Sequence, residues 1–147
     1  MERIILFFLF IFLSQEMSSQ NVIHFHDITV TVQNDSLPFF PYRYETYGLL
    51  FHGHPLVEQG IYQQIIMDSK GQIIVLWSND TANDVYCIDA LTGCKYLLRK
   101  DYQKAQAYVS NVRVEKTNDS IRIIVYGFND VQPFNFVRQN RILREIK

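Results

Sequence analysis

The stretch from Ile61 to Leu98 constrains the fold more than any other, because it reads as two β-hairpins in succession. Ile61-Tyr62-Gln63-Gln64-Ile65-Ile66-Met67 and Gln72-Ile73-Ile74-Val75-Leu76-Trp77-Ser78 are apolar, β-branched runs on either side of Asp68-Ser69-Lys70-Gly71. Asp opens a type I turn and Gly closes it, so the two runs fold back on each other. Both runs are apolar on both faces, as in strands covered on both sides. The Ile and Val content and the Asp-Ser-Lys-Gly break argue against a buried helix. Asn79 to Asp84 is a polar turn, and a second hairpin follows: Val85 to Asp89, then Ala90-Leu91-Thr92-Gly93, then Cys94 to Leu98.

Within that second hairpin, Val85-Tyr86-x-Ile88-Asp89-x-x-Thr92-Gly93 resembles the outer hairpin of β-propeller blades of the pyrroloquinoline-quinone type. Those repeats follow Val-Tyr-x-Leu-Asp-x-x-Thr-Gly with a Trp four residues after the Gly, where this chain has Leu97. The resemblance implies antiparallel β structure. It brings no quinone with it, because no cofactor-contacting residue is matched. A closed propeller needs several four-stranded blades, and this chain has length for about three.

The amino terminus has the pattern of a secretory signal: Arg3, then ten apolar residues from Ile4 to Leu13, then polar and small residues to Ser19. Ten apolar residues are too few to span a bilayer, which takes about twenty. The expected organisation is a signal peptide over residues 1–19 and a single β-rich domain over 20–147, exported to the cell exterior or envelope. That domain is long enough for a core of its own. It carries 13 acidic and 13 basic residues, a balance that provides no drive toward nucleic acid or anionic membrane. The charge is unevenly placed. Residues 20–80 hold six acids and two bases, and residues 81–147 hold seven acids and eleven bases.

Along the chain, Asn21 to Val32 alternates as a first strand, turned by Asn34-Asp35-Ser36. Pro38 to Phe51 packs two prolines and six aromatics into fourteen residues, which favours an irregular loop held by ring packing. Tyr42, Tyr44 and Tyr47 within it form a candidate aromatic platform for a glycan or a protein partner, since tyrosine offers an apolar face and a hydroxyl. His52 to Gly60 joins this loop to the central hairpins. Gln106 to Glu115 and Ser120 to Phe128 form a third hairpin around Lys116-Thr117-Asn118-Asp119. Phe134 to Lys147 is a last strand, with a short basic helix as the competitor because Arg138, Arg141 and Arg144 recur at helical spacing. The expected fold is all-β: an antiparallel meander of eight or nine strands, closed as a sandwich or open barrel. A partial propeller of two to three blades is the alternative.

All four histidines fall in two His-x-His pairs, His24/His26 and His52/His54. On a strand such a pair aims two imidazoles the same way, as a divalent metal needs. His52-x-His54-x-x-x-Glu58 looks like the first metal motif of the cupin family, so His52, His54 and Glu58 are the candidate ligands. Cys87 and Cys94 are the only cysteines, and an exported chain permits a disulfide between them. Across the turn they lie one diagonal step apart. Asn34, Asn79 and Asn118 each open an Asn-Asp-Ser/Thr triplet. The triplets match a glycosylation acceptor, and the same residues are good turn formers. No nucleophile elbow or phosphate-cradling loop is visible. The leading expectation is therefore an exported binding module without catalysis. The alternatives are a cupin-like metal enzyme and a self-associating structural protein.

Overall fold

The computed structural model describes residues 20–36, 43–77, 84–98, 109–127 and 129–147. The segment expected as a signal peptide (1–19), Tyr42, Asn79 and the turn around Thr81 lie outside them. Every regular element among the described residues is a β-strand. They are β1 (Gln20–Phe25), β2 (Ile28–Ser36), β3 (Arg43–Phe51), β4 (His54–Gly60), β5 (Gln64–Asp68), β6 (Ile73–Trp77), β7 (Val85–Asp89), β8 (Lys95–Leu98), β9 (Val109–Lys116), β10 (Ile121–Gly127), β11 (Val131–Gln139) and β12 (Ile142–Ile146). They form three four-stranded antiparallel sheets, each a meander in chain order: β1-β2-β3-β4, β5-β6-β7-β8 and β9-β10-β11-β12. The all-β antiparallel meander is as expected.

The three sheets stack face to face, with β5–β8 in the middle. Side chains alternate across a strand, so β6 sends Ile73, Val75 and Trp77 into a core shared with the third sheet. It sends Ile74 and Leu76 into a second core shared with the first sheet. β7 divides likewise, with Val85 and Cys87 toward the third sheet and Ile88 toward the first. A strand covered on both faces has no polar side, which is why these runs are apolar throughout. Each flanking sheet turns one apolar face to a core, and its other face buries only isolated residues among those described: Thr46 and Gly48 in the first sheet and Ile124 in the third. In β2, Ile28, Val30 and Val32 point into the core, while Thr29, Thr31 and Gln33 alternate with them on the open face.

Several boundaries differ from expectation. The single strand read from Asn21 to Val32 is a hairpin, because the chain reverses at His26-Asp27 and Phe25 pairs with Ile28. Asn34-Asp35-Ser36 continues β2, paired to Glu45, Tyr44 and Arg43, and is not a turn. Arg43 to Phe51, read as part of a loop, is β3, and the connection after it holds β4. Pro55 is tolerated there because β4 is an edge strand. The final segment is two strands, turned at Asn140-Arg141 with both residues at positive φ, a geometry that suits the twist of a tight hairpin.

One glycine is demanded by both backbone and packing. Gly93 closes the β7–β8 turn at φ +71°, and a Cβ there would sit 2.7 Å from the Phe51 ring of the first sheet. Gly93→Ala is expected to lower stability by about 1–3 kcal/mol through strain and overpacking. The check is the urea midpoint, with Gly53→Ala as a comparison that has positive φ (+80°) but open space around it. A larger loss at Gly93 than at Gly53 isolates the contribution of the ring contact.

Candidate functional site

The conspicuous buried charge is Asp89, at the end of β7 and fully buried. Its carboxylate accepts hydrogen bonds from the Leu91 amide (3.1 Å), the Thr92 hydroxyl (2.7 Å) and the Arg138 guanidinium (2.9 Å). Asp and Thr three residues apart therefore lock the Asp-x-x-Thr-Gly turn, and the Gly93 amide closes it on the Asp89 carbonyl (2.8 Å). Arg138 reaches across from β11 and also donates to the carbonyls of Gly71 (3.1 Å) and Arg141 (3.0 Å). Burial alone would push the Asp89 carboxyl up, but the Arg138, Thr92 and Leu91 donors outweigh it and hold the carboxyl below its usual range. These contacts tie the central sheet to the third and leave Asp89 a structural role.

The histidine motif is not assembled as the spacing implied. His52 occupies the β3–β4 turn at φ +47°, exposed and edge-on to the Phe51 ring at 4.2 Å. His54 opens β4 after the reversal, and Glu58 lies further along that strand. A tight turn separates the two imidazoles, so they do not share one strand face as a His-x-His pair in continuous β structure would. The β1–β2 turn sits at the same sheet end, because Ile28 pairs with Phe51. There His26 stacks edge-on to Phe25 at 4.8 Å, and His24 faces the Thr29 hydroxyl at 3.5 Å. Among the described residues no three His, Cys, Asp or Glu are gathered as a metal ion would require.

The aromatic platform is also divided. Tyr44 and Tyr47 are three residues apart on a regular strand and face opposite sides of the first sheet. Tyr47 turns inward against the core. Its hydroxyl donates to Glu45, and that bond, with burial and the Glu45 charge, pushes the phenol up to about 12. Cys87 and Cys94 are free thiols, the first buried and the second exposed. Cys87 pairs with Tyr96, while the Asp89 amide bonds the Cys94 carbonyl at 2.9 Å. The cysteines are thus diagonal neighbours and not opposite ones, and no disulfide joins them. Burial, reinforced by Asp89, pushes the Cys87 thiol up. Asn118 lies in the exposed β9–β10 turn, whereas Asn34 lies within β2.

A cleft of about 370 Å³ opens between the first and central sheets. β4 contributes Pro55, Leu56, Val57 and Glu58, the β4–β5 connection contributes Tyr62, and β7 and β8 contribute Tyr86 and Lys95. The Lys95 ammonium donates to the Leu56 carbonyl (3.3 Å) and lies 5.2 Å above the Tyr86 ring. The Tyr86 hydroxyl donates to Asp84 (2.9 Å), and that of Tyr62 to the Glu58 carbonyl (3.3 Å). Burial, helped by the Glu58 charge, pushes the Tyr62 phenol up. Two half-buried rings and a pair of opposite charges thus line a cavity of ligand size. Glu58, expected as a metal ligand, belongs to it. Tyr62, Tyr86 and Lys95 were not legible as site residues, because they come from three separate elements with no shared spacing.

No family model matches the chain, and no curated protein or solved structure matches it.

Proposed function

We propose that this chain is an exported, non-catalytic binding module that takes a glycan or a peptide segment in the cleft between β4 and β8. The observation that carries this reading is the convergence of Tyr62 and Tyr86 with Lys95 and Glu58 around a cavity of about 370 Å³. Tyrosine rings stack on sugar or peptide planes while their hydroxyls accept and donate. Opposite charges at the rim orient a polar ligand without strong attraction for either sign alone. Export rests on the secretory pattern of residues 1–19. We also propose that each four-stranded sheet is a propeller-type blade. Two features support this. Each sheet runs in chain order, and the resemblance over residues 85–97 falls on the last two strands of its sheet, where an outer hairpin belongs.

The test is a glycan array and a peptide library, probed with the mature protein and with Tyr62→Ala and Tyr86→Ala variants. A ring that anchors a ligand contributes about 2 kcal/mol or more, so each variant should weaken a genuine hit about thirtyfold. Binding that ignores both substitutions, or an absence of hits in both libraries, would overturn the reading.

A further inference from the structure

We propose that the cleft takes an extended peptide, which adds to the free edge of β4 as a fifth strand of the first sheet and carries an acidic and an apolar residue two positions apart. This rests on the reading of the cleft as a binding site and narrows its ligand to one class. β4 is the last strand of its sheet, so one edge of its backbone has no strand beside it. Pro55 and Val57 pair with β3. The carbonyls of Leu56 and Glu58, which alternate with them, accept instead from side chains: the Lys95 ammonium and the Tyr62 hydroxyl, each at 3.3 Å.

Two backbone acceptors two residues apart repeat at about 6.6 Å along a strand, the spacing at which a neighbouring strand presents its amides. That repeat is a backbone's own, and it selects a peptide over a glycan. Bonds of 3.3 Å are longer than the about 2.9–3.0 Å ordinary for an amide on a carbonyl, and each carbonyl has a second lone pair. Peptide amides can therefore displace the Tyr62 hydroxyl or join the Lys95 ammonium without leaving an acceptor bare.

The central sheet supplies the sequence preference. Lys95 pairs with Ile88, and Leu97 with Tyr86, across β7 and β8. Ile88 and Tyr86 pack in the core shared with the first sheet. Opposite residues share a face, so Lys95 and Leu97 lie on that side too. The first sheet ends at β4 and leaves Leu97 49% exposed. The Lys95 ammonium already touches the β4 edge, so a strand added there runs over this strip. Alternate side chains of such a strand point to one face about 6.6 Å apart, matching Lys95 and Leu97, themselves two residues apart on β8. An ammonium has three donors and the Leu56 carbonyl takes one, so a carboxylate can take another. The charge of Glu58 sits beside Tyr62, which leaves the Lys95 end for the acid of the peptide. Leu97 and the Tyr86 ring receive the apolar side chain. Main-chain pairing gives affinity in this mode, and the alternate side chains give specificity.

Selection of phage-displayed random seven-residue peptides on the protein, run beside the glycan array, is the first readout. Enriched peptides should share an aspartate or glutamate two positions from an apolar residue. Synthetic copies of the best of them give two further readouts. N-methylation of successive amides should weaken binding about tenfold at alternate positions and little at those between, since only every second amide faces β4. Lys95→Glu, a change at an exposed side chain, should weaken the acidic peptides about tenfold or more. A selection repeated on that variant should replace the acid by lysine or arginine, with the urea midpoint confirming that the fold is kept. Binding confined to glycans, and lost in Tyr62→Ala and Tyr86→Ala, overturns the peptide inference and leaves the cleft reading standing. Peptides that the tyrosine variants fail to bind, but that N-methylation weakens at every position or at none, or that Lys95→Glu binds unchanged, do the same. An absence of hits in both libraries overturns both, and is the outcome if the Lys95 and Tyr62 bonds only guard the β4 edge against pairing.

Discussion

Replacing Asp89 by alanine is expected to destabilise the protein by about 3–5 kcal/mol, the usual result of breaking a buried ion pair by removing one partner. Two losses combine. Arg138, whose side chain is 20% exposed, keeps its charge beside the central sheet without the carboxylate that offsets it. The Leu91 amide and the Thr92 hydroxyl lose their acceptor, so the turn at Gly93 loosens. A domain of this size is stable by about 5–15 kcal/mol in total, so the variant should be partly unfolded at physiological temperature. Urea melts of wild type, Asp89→Ala, Arg138→Ala and the double variant measure it. The double variant should be less destabilised than the sum of the two single ones, since the second change removes a charge already stranded. The same pair makes stability depend on pH. Because the folded carboxyl is held below its unfolded value of about 3.9, its contribution is complete above that value and is lost as pH falls through the folded pKa. Wild type should weaken below about pH 4, and Asp89→Asn should weaken less steeply over that range.

Phe136→Ala is expected to cost about 3–5 kcal/mol, as large aromatic truncations in closed cores do. Phe136 is fully buried in β11. Its ring meets the edge of Tyr96 on β8 at 5.4 Å, and the Tyr96 hydroxyl in turn donates to the Leu143 carbonyl on β12 (2.6 Å). Removing the ring opens a cavity between the central and third sheets and frees the tyrosine that bridges them. Phe136→Leu should cost less, about 1–2 kcal/mol, because most of the volume survives. The measurement is again the urea midpoint. The cleft lies against the opposite face of the central sheet, so folded Phe136→Leu protein should keep the ligand binding that Tyr62→Ala loses.

Much of the central sheet was legible because its signals are local. Asp68 to Gly71 is a turn by residue type, and the Asp68 carboxylate does accept the Lys70 amide at 3.0 Å. Runs apolar on both faces announce a layer covered twice. The β9–β10 hairpin likewise declares itself through Lys116 to Asp119. Two hairpins are hidden because their turns lack the usual residues. His26 and Arg141 adopt positive φ, a region populated chiefly by Gly and, less often, by Asn, Asp and His. The β1–β2 and β11–β12 hairpins therefore each carry the sequence pattern of one continuous segment. Arg138, Arg141 and Arg144 looked helical by spacing, yet one bridges to Asp89, one turns the chain and one lies on the open face. Pairings between distant residues left no local trace. Asp89 and Arg138 are 49 residues apart, and the cleft draws on β4, the β4–β5 connection, β7 and β8.

Hydrogen exchange of backbone amides tests the three-layer stack most directly, since the cleft and the ion pair both follow from it. If the central sheet is covered on both faces, the amides of Ile73 to Trp77 in β6 should exchange only through global unfolding, while those of edge strand β1 exchange through local opening. Phe136→Ala should then speed β6 exchange by the factor that its loss of stability dictates. Exchange in β6 as fast as in β1, or unchanged by Phe136→Ala, would contradict the stack.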